Sequence, residues 1–222
     1  MNDIGVAAGD AARAAPDSSQ HEEAITLGVL NAVEGNSALT QRSVARDLGI
    51  ALGLANAYLK RCGRKGWIKV QQVPPNRYAY YLTPKGFAEK SRLTAEYLSI
   101  SFNFFRSARK QCAALFADCT TRGWRRVALT GAGDLAEIAA LCAADHPIEI
   151  AGIVDRAQAG GTCAGFGVVG DIGELGAIDG VIITDLARPQ ITFDELAGAV
   201  GAERILAPRL LNISRTKPQL MD

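Results

Sequence analysis

Residues 40–70 read TQRSVARDLGIALGLANAYLKRCGRKGWIKV. The Thr40 side chain can accept a hydrogen bond from a backbone amide just downstream, which makes it an N-cap for a short helix ending near Leu48. Gly49 then supplies a tight turn, and a second helix is predicted from about Ala51 to Gly63. In that helix Leu52, Ala55, Leu59 and Cys62 recur at i, i+3, i+7 and i+10, one inward stripe. The opposite face offers Gly53, Asn56, Ala57, Lys60 and Arg61, with Arg64 just beyond; Arg42 and Ser43 open the preceding helix. Two short helices about a glycine, the second polar and basic outside, suit a reader of the DNA major groove. Small residues let the helix approach the bases, Asn can pair bidentately with adenine, and Lys or Arg can hold guanine or phosphate. A solvated helix face has the same composition, so the flanking sequence decides.

Upstream, Ile25, Leu27, Val29 and Leu30 give a helix from Glu22 to about Val33 its apolar side. Downstream, WIKVQQVPPNRYAYYLTPKG (residues 67–86) reads as two strands, about Trp67 to Val73 and Arg77 to Leu82. Pro74, Pro75 and Asn76 form the turn between them, and Thr83 and Pro84 are N-cap and N1 of a new helix. A helix-turn-helix followed by a hairpin is a winged helix, here residues 21–83. Arg77 at the hairpin tip would reach a phosphate or the minor groove. The partner so implied is double-stranded DNA.

These stretches, with YAYYLTPKGFAEKSRLTAEYL over residues 78–98, resemble the MarR-type regulators associated with exopolysaccharide gene clusters. The resemblance implies that the helix holding Gly53, Asn56, Ala57, Lys60 and Arg61 is the recognition helix.

The formal net charge of +1 hides a split. Up to Arg126 there are about 18 basic and 10 acidic residues, and beyond it about 6 and 13. A basic half followed by an acidic one suits a DNA-facing module joined to something that stays off phosphates. No apolar run approaches the roughly 18 residues of a membrane span, and residues 1–20 lack an apolar signal core, so they read as a disordered tail and the protein as cytoplasmic. Cys62, Cys112, Cys119, Cys142 and Cys163 form no CxxC, and with only His21 and His146 no metal site is expected. The cysteines read as reduced thiols, with redox sensing by one of them as the alternative.

Residues 84–122 contain no Gly after Gly86 and no Pro after Pro84, so one long linking helix is predicted. Leu93, Tyr97, Ile100 and Phe104 follow a 4-3-4 spacing, continued loosely by Ala108, Cys112 and Leu115. That is the seam of a coiled coil, and it predicts a homodimer. Packing of the helix against its own domain is the alternative.

From residue 123 to 222 apolar runs are bounded by glycines. RRVALTGAGDLAEIAALCAADHPIEIAGIVD (residues 125–155) reads as strand, glycine turn, helix, strand. Gly131 makes the turn, Gly133 lets backbone approach a pyrophosphate at the helix N-terminus, and Ala136 is the third small position. Asp155, closing the next strand, can take a ribose hydroxyl pair. Asp134 in the same loop could instead cap the helix amides and repel a phosphate. GFGVVGDIGELG, DGVIITD and ERILAP follow as further sheet units, giving a small α/β Rossmann-like domain with a mostly parallel sheet.

GAGDLAEIA, IAGIVD and VVGDIGEL resemble the Rossmann-like, CoA-binding-like domains of polysaccharide-biosynthesis enzymes acting on nucleotide-sugars. The overall plan is also similar to Rex-type redox repressors that sense NADH. These resemblances imply NAD(H), CoA or a nucleotide-sugar as ligand, lined by Gly131, Gly133, Asp134 and Asp155. The leading expectation is therefore a ligand-responsive transcriptional regulator, with a Rex-like NAD(H) sensor as alternative. A nucleotide-sugar enzyme ranks below both, because the second half shows no Tyr-x-x-x-Lys pair, Ser-His-Asp set or Cys-His pair. A scaffold for partner proteins with an empty crevice is the remaining reading.

Overall fold

The computed structural model describes residues 18–73 and 77–215. Two compact units divide between Ile100 and Ser101. The first holds α1 (Ser18–Gly35), α2 (Gln41–Asp47), α3 (Leu52–Arg64), β1 (Ile68–Val73) and β2 (Arg77–Leu82). Helix α4 (Pro84–Thr121) begins in this unit and ends in the second. The predicted tail lies outside the described residues up to position 17, and Ser18 to Gln20 already belong to α1.

Local chemistry sets the first unit's boundaries. Thr40 accepts from the Ser43 amide at 3.1 Å while the Thr40 amide donates to Ser43 Oγ at 3.0 Å, a reciprocal cap that starts α2. Gly49 turns the chain at φ +63°, where a side chain would be strained. Helix α3 buries Ala55, Tyr58, Leu59 and Cys62 against Val29, Leu30 and Val44. This is an i, i+3, i+4, i+7 face. It corrects the stripe read from the sequence, because Leu52, the first residue of the helix, is 45% exposed and Tyr58 is buried.

The hairpin pairs β1 and β2 antiparallel, with Ile68 opposite Leu82 and Val70 opposite Tyr80. Its turn, residues 74–76, lies outside the described residues. The hairpin base is tied down tightly. Thr83 Oγ1 donates to the Gly66 carbonyl at 2.6 Å and accepts from the Gly86 amide at 3.0 Å. A Cβ on Gly86 would run into the backbone of Trp67, so only glycine allows α4 to start here.

The second unit is a six-stranded sheet of order β5-β6-β4-β3-β7-β8, built from β3 (Arg126–Thr130), β4 (Glu149–Val154), β5 (Thr162–Cys163), β6 (Phe166–Val169), β7 (Gly180–Ile183) and β8 (Ile205–Leu206). All neighbouring pairs are parallel except β5 with β6. Helix α5 (Asp134–Ala143) connects β3 to β4, and α6 (Pro189–Val200) connects β7 to β8. Numbering the parallel strands by sequence gives 3-2-1-4-5, the doubly wound order, with the reversal between β3 and β7. Near-continuous apolar strands such as Val181, Ile182 and Ile183 are fully buried, as a parallel sheet requires.

The seam read along α4 is divided. Leu93 is buried in the first unit's core, while Ala108, Cys112, Phe116 and Cys119 are buried in the second's. Tyr97, Ile100 and Phe104 are exposed. Leu93 and the continuation from Ala108 are thus satisfied within their own units, and an extended coiled coil along the whole helix does not follow.

Candidate functional site

A groove of about 740 Å³ lies between α3 and the hairpin. Asn56, Ala57, Lys60 and Arg64 line it from α3, and Val70 and Tyr78 from the hairpin. The helix contributes one face: Gly53, Asn56, Lys60 and Arg64 lie close together at 100° per residue. Lys60 and Arg64 are exposed, and so are Gly53 and Ala57, whose small size leaves room for a closely approaching ligand. Ala51, the N-cap of α3, has no side-chain oxygen to occupy the first amides of the helix. Unoccupied N-terminal amides favour an anion.

The other sequence candidates are placed differently. Arg61 is drawn away from the groove, its Nη1 donating to Glu22 Oε2 of α1 at 2.8 Å. The hydrogen bond and charge of Glu22 raise the Arg61 pKa above its usual value. Ser43 is engaged in the α2 cap, with its hydroxyl donating to the Thr40 carbonyl at 2.8 Å. Arg42 is exposed on α2. Arg77 opens β2, and its side chain lies outside the described residues.

Tyr78 and Gln41 are groove residues that the sequence reading missed. The signal for Tyr78 was present in strand alternation. Tyr80 and Ile68 are buried on the hairpin's inner face, and Tyr78 follows Tyr80 on that face past the end of the core, 57% exposed.

In the second unit, the ends of β3, β4 and β7 bring together the loop of Gly131, Ala132 and Gly133 with Asp155 and Asp185. Gly131 has φ +96°, and a Cβ there would sit 2.5 Å from Asp185 Cα, so glycine is needed for the close approach of the two loops. Asp155 does not present a free carboxylate. Its Oδ2 accepts from the Ala132 amide at 3.0 Å and its Oδ1 from the Ala157 amide at 2.9 Å. Gln158 Nε2 donates to the Ala132 carbonyl at 2.6 Å, closing the same loop.

Asp185 is likewise a fastener. It accepts from the Ala187 and Arg188 amides at 2.8 and 3.1 Å and from Thr192 Oγ1 at 2.6 Å. Burial alone would raise its pKa, but these donors outweigh it and leave the carboxyl below its usual value.

Gly133 is extended, and Asp134 and Glu137 occupy the first turn of α5. The Cys163 thiol nearby is raised by burial and by the negative charges of Glu137, Asp134 and Asp155. A pyrophosphate placed at this helix start would meet the carboxylates of Asp134 and Glu137, whereas Asp155, with one short amide bond on each oxygen, keeps acceptor capacity.

Residues 22–69 match a family model described as winged helix-turn-helix DNA-binding. It spans less than half of the chain, so it assigns the N-terminal module alone. No curated protein matches the chain. Among solved structures, the PcaV transcriptional regulator from Streptomyces coelicolor is 26% identical and overlaps 44% of this chain and 74% of its own, with a TM-score of 0.36. MepR, a transcription regulator of a Staphylococcus aureus multidrug efflux pump, is 24% identical over 37% of this chain and 61% of its own, with a TM-score of 0.32. These overlaps are loose, and the functional reading rests on the family match and on the groove.

Proposed function

We propose that the chain is a transcription regulator that binds double-stranded DNA through α3 and the β1–β2 hairpin. The observation that carries this reading is the groove in which Asn56, Lys60 and Arg64 face Tyr78 across an open floor. It lies within a module matching winged helix-turn-helix DNA-binding sequences. With α3 in the major groove, Asn56 reads a base edge, and Lys60 and Arg64 hold guanine or phosphate. Fluorescence anisotropy on DNA from the protein's own upstream region tests it: Asn56→Ala should relax sequence preference, and Lys60→Ala should weaken all DNA alike.

The protein works as a homodimer through α4, so that two readers meet a two-fold operator. The exposed Tyr97, Ile100 and Phe104 support this role for the helix. The chain is read as non-catalytic. Assignment to surface-polysaccharide genes rests on the sequence resemblances, and mapping the operator tests it.

For the second unit, sensing of a nucleotide or nucleotide-sugar is supported by the strand reversal and by Gly131, while Asp134 and Glu137 weigh against a pyrophosphate. A Rex-like NAD(H) sensor draws on the same support and meets the same objection. Operator affinity unchanged across saturating NAD(H), CoA and UDP-sugars would remove both sensing readings and leave the DNA-binding one standing.

A further inference from the structure

The outward face of α3 is cut back near its start. Gly53 and Ala57 are exposed and stand roughly opposite the buried Ala55, Tyr58, Leu59 and Cys62. One turn separates them, so they lie about 40° apart around the helix and about 6 Å apart along it. Asn56, half-buried, sits beside both. Together they form a shallow notch, two positions with almost no side chain flanked by one amide.

Nothing inside the chain requires glycine at position 53. The residue is helical, and a Cβ built there would meet no atom within 4 Å. Gly28 and Gly86 differ, because a Cβ on either would run into Leu48 or into the Trp67 backbone. Alanine at position 53 would fit and would hold the helix at least as well. The space at Gly53 is space for something outside the chain.

The surroundings say what kind of group fits. Ala57 ends in a methyl, and Val70 and Tyr78, 46% and 57% exposed, line the same groove from the hairpin. Ala57 and Val70 offer no hydrogen bond to a phosphate or a polar base edge. In the major groove one base-edge group is apolar, the C5-methyl of thymine. The amide of Asn56 can pair bidentately with adenine, the base that thymine accompanies.

We propose that Gly53 and Ala57 seat the 5-methyl group of a thymine beside an adenine held by Asn56. This rests on the DNA-binding reading above and names the base that the N-terminal half of α3 selects. A phosphate drawn to the uncapped amides at the start of α3 would also come close to Gly53. It carries no methyl, and the two contacts separate on that difference.

The test removes a methyl from the DNA and adds one to the protein. The full chain selects duplexes from a random pool, and the tightest is remade with deoxyuridine in place of each thymine in turn. For the wild type, replacement at one thymine should weaken binding about fourfold, the worth of one buried methyl. Gly53→Ala fills the notch. It should bind the thymine duplex about tenfold more weakly than the wild type does, and the deoxyuridine duplex at least as well as the thymine one. Its thermal midpoint should be unchanged or raised. Recovery on losing the DNA methyl is the signature, since a purely structural role for Gly53 would weaken both duplexes alike. A wild type indifferent to every deoxyuridine overturns the methyl contact and leaves DNA binding standing. So does a Gly53→Ala variant that loses equally on both duplexes, which would put a phosphate at Gly53. A wild type that enriches no duplex from the pool overturns the methyl contact and the DNA-binding reading together.

Discussion

Arg61 Nη1 donates to Glu22 Oε2 at 2.8 Å, turning one of the two arginines of α3 toward α1 and away from the groove that Lys60 and Arg64 line. Both partners are about half exposed, with side-chain exposures of 45% and 51%. Such a pair contributes only about 0.2–1 kcal/mol. Arg61→Ala should therefore change DNA affinity by no more than about twofold, within the effect of a small stability change. Lys60→Ala should weaken DNA binding at every sequence and reduce the salt slope by about one counterion. Anisotropy titrations across a salt series check both, and equal losses for the two variants would contradict the placement.

Gly86 is held between the Thr83 hydroxyl and the Trp67 backbone. Gly86→Ala forces a methyl into backbone that cannot give way, an overpacking cost of about 1–3 kcal/mol. Thermal unfolding of the first unit should shift down accordingly. An unchanged transition would mean that the hairpin base is looser than the structure shows.

Asp155 binds the amides of Ala132 and Ala157 rather than standing free. Asp155→Ala should destabilise the second unit by about 1–3 kcal/mol, the cost of orphaning amides that a carboxylate had satisfied. A variant with native stability and lost nucleotide binding would instead restore Asp155 as a ribose ligand.

Burial pushes the thiols of Cys62 to about 11 and of Cys112 and Cys119 to about 12. An unfolded thiol ionises near 8.5, so these groups favour the folded state at full strength below that pH. Their contribution is lost as pH rises from about 8.5 toward the folded values. The urea midpoint should fall steadily between about pH 8.5 and 10.5. At pH 8 a thiol reagent should find the partly exposed Cys163 first and leave the buried cysteines unmodified until unfolding. Prompt modification of all five would contradict the burial.

Local signals in the sequence were reliable where local chemistry decides. Thr40 caps α2 as read, Gly49 takes a positive φ, and Asn56, Ala57, Lys60 and Arg64 share a groove wall. What the sequence did not reveal depends on distant partners. Arg61 belongs to the polar face of α3 by spacing, and only the fold shows that Glu22, far earlier in the chain, claims it. An acid at the end of β4 can serve a ribose or its own glycine loop, and spacing alone does not distinguish them. The 4-3-4 pattern along α4 mixes residues from two separate cores with an open belt between them, so one periodicity stood for three different environments.

The central claim is that α3 and the hairpin grip DNA, and the most direct measurement is the salt-dependent affinity of the wild type and of a Lys60→Ala/Arg64→Ala double variant for the upstream DNA. The wild type should bind with a steep inverse salt dependence, and the double variant should lose about two units of that slope together with at least about tenfold in affinity near physiological salt. A double variant that binds as tightly as the wild type, with the same slope, would contradict the account.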